Sequence, residues 1–142
     1  MIDRPDLLAL VAPLARALRR IEDECADAEE LTMWQYAILS AAEQIAAPSQ
    51  RAIAERLSYS VNRIVGDIDL LADRGLVIRE RGADRRAYSL VVTPDGARVT
   101  ATIRAAIHRR EDELLAHLAN AERATLRTLL AAATHHPAHS TD

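Results

Sequence analysis

The feature that most constrains this chain is a change of hydrophobic period near residue 76. Before it, apolar residues recur at spacings of three and four; from 76 to 93 they gather in two short β-type runs; beyond 93 the helical spacing returns. Leu76–Arg81 and Arg86–Thr93 are short β-type runs, and Gly82-Ala83-Asp84-Arg85 between them reads as a hairpin tip. In the second run Tyr88, Leu90 and Val92 share one face. Gly75 before the hairpin fits a left-handed helix cap, and Thr93-Pro94 after it supplies an N-cap with proline at the first helical position. The expected fold class is therefore mainly α with a small β-hairpin. With 4 Gly and 5 Pro in 142 residues, a sandwich with many tight turns is excluded.

The helical segments carry their own start and stop signals. Asp3 is placed to cap the first, with Pro5 in its first turn. Leu7, Val11, Leu14, Leu18, Ile21, Cys25 and Ala28 follow a 4-3-4-3 spacing, the stripe of a helix packed along another helix, with a kink or restart expected at Pro13. Thr32 and Gln35 have capping-box spacing inside a Leu31/Tyr36 staple, opening a helix that runs to about Ala46. Ser49 caps the next helix, which should bury Ile53, Ala54 and Leu57 and end near Ser58. Ser60 caps another with Val61, Ile64, Ile68 and Leu71 as its core face. After the hairpin a long helix is expected to about Ala119, and a last one from Asn120.

Composition matters where it separates function classes. One Cys cannot form an internal disulfide, no apolar run is long enough to span a bilayer, and Met-Ile-Asp-Arg-Pro lacks a signal pattern, so a cytoplasmic protein without membrane contact is expected. The formal charge of −3 averages unlike parts. Residues 1–48 carry 4 Arg against 9 acids, residues 49–110 carry 12 against 7, and residues 111–142 carry 2 against 5. A basic middle between acidic ends is expected when one part faces a polyanion. There is no Lys, so every cationic contact other than those of His and the N-terminus is made by a guanidinium, which forks onto phosphate or guanine.

Two short helices joined by a tight turn and followed by a hairpin make a winged helix-turn-helix. The helix opening at Ser60 can enter a major groove, with Asn62, Arg63 and Gly66 turned away from its core face. Asn suits adenine, Arg suits guanine, and Gly admits close backbone approach while reading no base itself. The wing supplies Arg79, Arg81, Arg85 and Arg86 for phosphate or a narrow minor groove. Asp84 could also be a simple turn former.

Leu31-Thr32-x-x-Gln35, the Ser49–Leu57 helix, Arg74-Gly75-Leu76-Val77, and Asp84-Arg85-Arg86 followed by Leu90-Val91-Val92-Thr93-Pro94-Asp95-Gly96 resemble MarR-type transcriptional regulators over about residues 31–96. The resemblance implies that Asp84 orients the wing arginine and that Arg86 is a minor-groove finger. It also implies a homodimer built by helices in 1–30 and 97–142, with 31–96 as the DNA-binding lobe, acting on a palindromic operator as a ligand-responsive repressor. An aromatic or phenolic effector would lie near Trp34 and Tyr36. The family often has Ser or Thr followed by Arg in the recognition helix; here the pair is Val65-Gly66.

Other features point elsewhere with less force. Some members of the family sense oxidants through a thiol, but Cys25 lies among Glu22, Asp23, Glu24 and Asp27, a setting that disfavours thiolate, so a packed, inert thiol is expected. His135, His136 and His139 read as a solvated tail, not a metal site. No phosphate loop, paired-histidine motif or nucleophile elbow is present, and His108 has no neighbouring nucleophile, so neither an enzyme nor a cofactor is expected. The rival reading is a winged-helix module that binds protein without reading DNA.

Overall fold

A computed structural model describes residues 3–82 and 88–135. The chain divides into two compact units, with the boundary in sequence between His108 and Arg109. The elements run α1 (Leu7–Asp27), α2 (Met33–Gln44), α3 (Gln50–Leu57), α4 (Val61–Asp73), β1 (Val77–Arg81), β2 (Tyr88–Val92), α5 (Pro94–Leu114) and α6 (Asn120–Thr134). This is the mainly α fold with one antiparallel hairpin that the change of period implied.

Local chemistry sets the boundaries in the first unit. At α2 the Gln35 amide donates to Thr32 Oγ1 at 3.1 Å while the Thr32 amide donates to Gln35 Oε1 at 3.0 Å, closing the capping box. The Ala52 amide donates to Ser49 Oγ at 3.0 Å and opens α3. Gly75, at φ 71°, takes the left-handed cap and turns the chain into β1. Thr93 ends the hairpin: its hydroxyl donates to the Gly75 carbonyl at 2.6 Å and accepts from the Gly96 amide at 3.0 Å. Gly96 is needed for close approach, because a methyl group there would lie 2.0 Å from the Leu76 carbonyl oxygen.

The hairpin pairs Val77 with Val92, Arg79 with Leu90 and Arg81 with Tyr88. The Leu90 amide also donates to the Pro48 carbonyl at 2.8 Å, tying the segment before α3 to the wing. Ile38, Leu39, Ile53, Ile64, Ile68, Leu71, Val77 and Ile103 are fully buried, each contributing about 1.5–3 kcal/mol relative to exposure. Together they hold α2, α3, α4 and the hairpin around one core.

Several expectations are corrected. Asp6, not Asp3, occupies the N-cap of α1, and its side chain makes no cap bond. The helix continues through Pro13, whose missing N–H falls on the exposed side. The 4-3-4-3 stripe does lie along α1, with Ile21 and Cys25 buried by this chain and Leu7 and Val11 left exposed. Helix α2 ends at Gln44, short of Ala46, and Leu57 is half-buried. Ser60 sits at the N-cap of α4 without a side-chain cap bond, and Val61 is 52% exposed because the first residue of α4 lies outside the core. Strand β1 begins at Val77 rather than Leu76. Helix α5 stops at Leu114, five residues early, in short turns that close Ala116 on Glu113 and Leu118 on Leu115.

Candidate nucleic-acid interface

Helix α4 has two unlike sides. Ile64, Ile68 and Leu71 anchor one side in the core, and the opposite side presents Asn62, Arg63, Val65, Gly66, Asp69 and Leu70 to solvent. Ser60, at its entry, is exposed as well. An α-helix is the element that fits a major groove, and its N-terminal turn is the part that meets base edges.

The N-terminal half of α4 is fixed by a polar cluster that sequence reasoning missed. Asp67 accepts from the Tyr59 hydroxyl at 2.9 Å and from Gln35 Nε2 at 3.3 Å. The Tyr59 ring stacks on Trp34, with centroids 4.3 Å apart and planes 6° from parallel. Removal from water, then the hydrogen bond to Asp67 and its charge, raise the Tyr59 phenol above its ordinary value, with Arg63 opposing. Gln35 therefore links the cap of α2 to α4, and the residues joined are 32 positions apart.

The arginines of the basic middle block divide by task. Arg74 donates to the carbonyls of Glu30 at 2.8 Å and Glu29 at 3.2 Å, bracing the α1–α2 turn. Arg56 donates to Gln44 Oε1 at 2.8 Å, and Arg98 pairs with Asp95. Arg79 lies on the helix-facing side of the hairpin and pairs with Asp69 of α4, so it ties the wing to the helix. Arg81 lies over the Tyr88 ring, 5.8 Å from its centroid, at the exposed end of β1. Arg63 is exposed beside Asn62. Asp84, Arg85 and Arg86 lie outside the described residues.

Trp34 and Tyr36 face different neighbours. Trp34 is 38% exposed beneath Tyr59, whereas Tyr36 is buried near Arg104 of α5. Burial raises the Tyr36 phenol, the Arg104 charge and hydrogen bond oppose that rise, and Glu22 adds to it. Arg104 also donates to Glu43 Oε2 at 3.0 Å and Ser40 Oγ at 3.3 Å. A cavity of about 440 Å³ opens elsewhere, among Glu43, Ile45, Pro48, Glu80, Leu90 and Val91. Neither Trp34 nor Tyr36 lines it. Cys25 is buried in α1; His136 and His139 lie outside the described residues. Among the described residues no helix is long and apolar enough to cross a membrane.

A helix exposed on one face, braced from behind and flanked by a two-stranded hairpin defines a winged helix-turn-helix protein, built to meet duplex DNA. Comparisons agree. No family model matches the chain. Over 115 residues it is 32% identical to a protein of Thauera aromatica described as a transcriptional regulatory protein for the hcr operon, covering 80% of this chain and 69% of that one. The structure is similar to the apo form of MarR from E. coli, with 22% identity, TM-score 0.80, and 93% and 99% of the two chains covered. It is also similar to the transcriptional repressor CouR bound to a 23-mer DNA duplex, with 28% identity, TM-score 0.74, and 87% and 88% covered. The chain belongs to the MarR family of DNA-binding transcription regulators, which are not enzymes.

Proposed function

We propose that this regulator is a sequence-specific repressor acting as a homodimer on a palindromic operator. Each protomer places the N-terminal half of α4 in a major groove, where Asn62 and Arg63 meet base edges, and its wing in the flanking minor groove. The observation that carries the reading is the exposed face of α4, held rigidly by Asp67 beside the hairpin. The likeness to CouR on a DNA duplex supports it. Arg86 is the proposed minor-groove finger, Asp84 orients it, and Arg85 contacts phosphate together with Arg81. Arg79 has the additional task of holding the wing through Asp69.

Unsatisfied apolar surface supports the homodimer. Leu7, Leu8 and Leu10 on α1 are each more than half exposed, as is Leu129 on α6, which has no buried residue. Isolated monomers rarely leave so many leucines in water on terminal helices, and a second copy would cover them. Residues 1–30 and 97–142 then form the dimerisation lobe and 31–96 the DNA-binding lobe. Two-fold symmetry places half-sites roughly 10 bp apart. The proposed effector is a small aromatic compound that competes for the Trp34 face and, through Tyr59 and Asp67, shifts the dimer between DNA-competent and incompetent forms.

The experiment is selection of duplexes from a random pool by the purified protein, followed by retardation at low and moderate salt. An enriched sequence whose complex weakens steeply with salt supports the reading. Failure to retain any duplex at low salt overturns it and favours the protein-binding module.

A further inference from the structure

Resting on that reading, we infer that α4 reads its half-site largely through thymine methyl groups, using Val61 and Val65, with Gly66 admitting the close approach this requires. Val61, Val65 and Asp69 lie one turn apart in a column on the exposed side, and Asn62, Gly66 and Leu70 form the adjacent column. Val61 is 52% exposed and Val65 is 38% exposed, so neither valine is there to fill the core. Valine is also a mediocre helix former, so propensity does not explain the pair. Apolar side chains in a major groove have one base-specific partner, the C5 methyl of thymine.

Gly66 supplies an independent observation. A methyl group at this position would meet nothing within 4 Å, and the residue sits in ordinary helix in the middle of α4. Neither backbone conformation nor packing within the chain calls for glycine. Glycine in a helix interior weakens the helix relative to alanine, so its use here is explained by a surface that comes from outside the protomer. It lies between Asn62 and Leu70 in the column beside the two valines. Asp69, the one acidic side chain among these six, is paired with Arg79, which neutralises a charge that would otherwise repel phosphate. Beside the Asn62 amide and the Arg63 guanidinium, two isopropyl groups are therefore placed to specify bases.

The test uses the intact dimer and the duplex it enriches from the random pool. Each thymine is replaced in turn by deoxyuridine, which removes only the methyl group. We expect one or two positions per half-site at which the replacement weakens binding about fourfold, the equivalent of one buried methylene at about 0.8 kcal/mol, and roughly fifteenfold when both half-sites are changed. Val65→Ala should bind the thymine and uracil duplexes equally at one of these positions. Gly66→Ala should weaken the enriched duplex about tenfold or more while its Tm stays level or rises by roughly 3 °C, separating lost contact from lost folding. Uracil duplexes bound as well as thymine duplexes at every position would overturn the inference while leaving DNA binding intact. So would unchanged affinity in Gly66→Ala. Retention of no duplex by the wild-type protein would overturn both this inference and the reading beneath it.

Discussion

Replacing Asp67 with alanine removes the acceptor that positions α4, and the structure sets the size of the effect. The Tyr59 hydroxyl donates to the carboxylate at 2.9 Å, a bond to a charged group worth about 1.5–3 kcal/mol. The Gln35 bond, at 3.3 Å, is longer and adds about 0.5 kcal/mol. Asp67 is half-buried, so water recovers part of both losses, leaving a net destabilisation of about 2 kcal/mol. Tyr59→Phe keeps the stack on Trp34 and loses only the donor, for about 1 kcal/mol. Urea unfolding followed by circular dichroism measures each variant, at one fixed protein concentration because the stability of the proposed dimer would depend on it. The double variant should fall short of the sum of the two single effects by about 1 kcal/mol. Binding of the enriched duplex should weaken severalfold in Asp67→Ala with helix content unchanged. A change below about 0.5 kcal/mol, or strict additivity, would show that Asp67 does not hold α4.

Three further outcomes follow from other contacts. Gly96→Ala pushes a methyl group into the Leu76 carbonyl, which already accepts from the Thr93 amide, and should destabilise by about 3 kcal/mol or more. A melting curve within a degree or two of wild type would contradict that packing. Thr32→Ala loses the capping box of α2 and should destabilise by about 1 kcal/mol in the same urea assay; no loss would show that the cap is dispensable. Tyr36 and Tyr59 both have phenols raised above the ordinary 10.0, so the folded state favours their neutral forms. Their contribution is complete below pH 10.0 and is lost as pH rises through the folded values, so stability should fall on that side, less steeply in Tyr59→Phe. An identical alkaline profile in that variant would remove Tyr59 from the account.

What could be read in the sequence was local. Thr32 with Gln35, Ser49, Gly75 and Thr93 announce their turns because each acts within a few residues, where chain geometry leaves little choice. The hairpin was legible because two short β-type runs on either side of a turn sequence interrupt the helical spacing. The Asp67–Tyr59–Gln35 cluster was not, since its partners meet only after α2 and α4 have packed. The same holds for Arg79 with Asp69, and for Arg74 with the carbonyls of Glu29 and Glu30. Counting charge by segment could not separate these arginines, bonded within the chain, from ones free to meet phosphate. Periodicity also placed Leu7 and Val11 on a helix stripe correctly, but a stripe does not say whether its own chain covers it. Val61 shows the same limit at a helix end, where spacing continues although the core has stopped.

The central claim, a symmetric dimer with α4 in the major groove, is tested most directly by dimethyl sulfate protection on the enriched duplex. Guanine N7 reports the major groove and adenine N3 the minor groove. The account predicts two major-groove protections roughly 10 bp apart about a dyad, each flanked by minor-groove protection that disappears in Arg86→Ala. A single protected cluster, or protection confined to the minor groove, would contradict it.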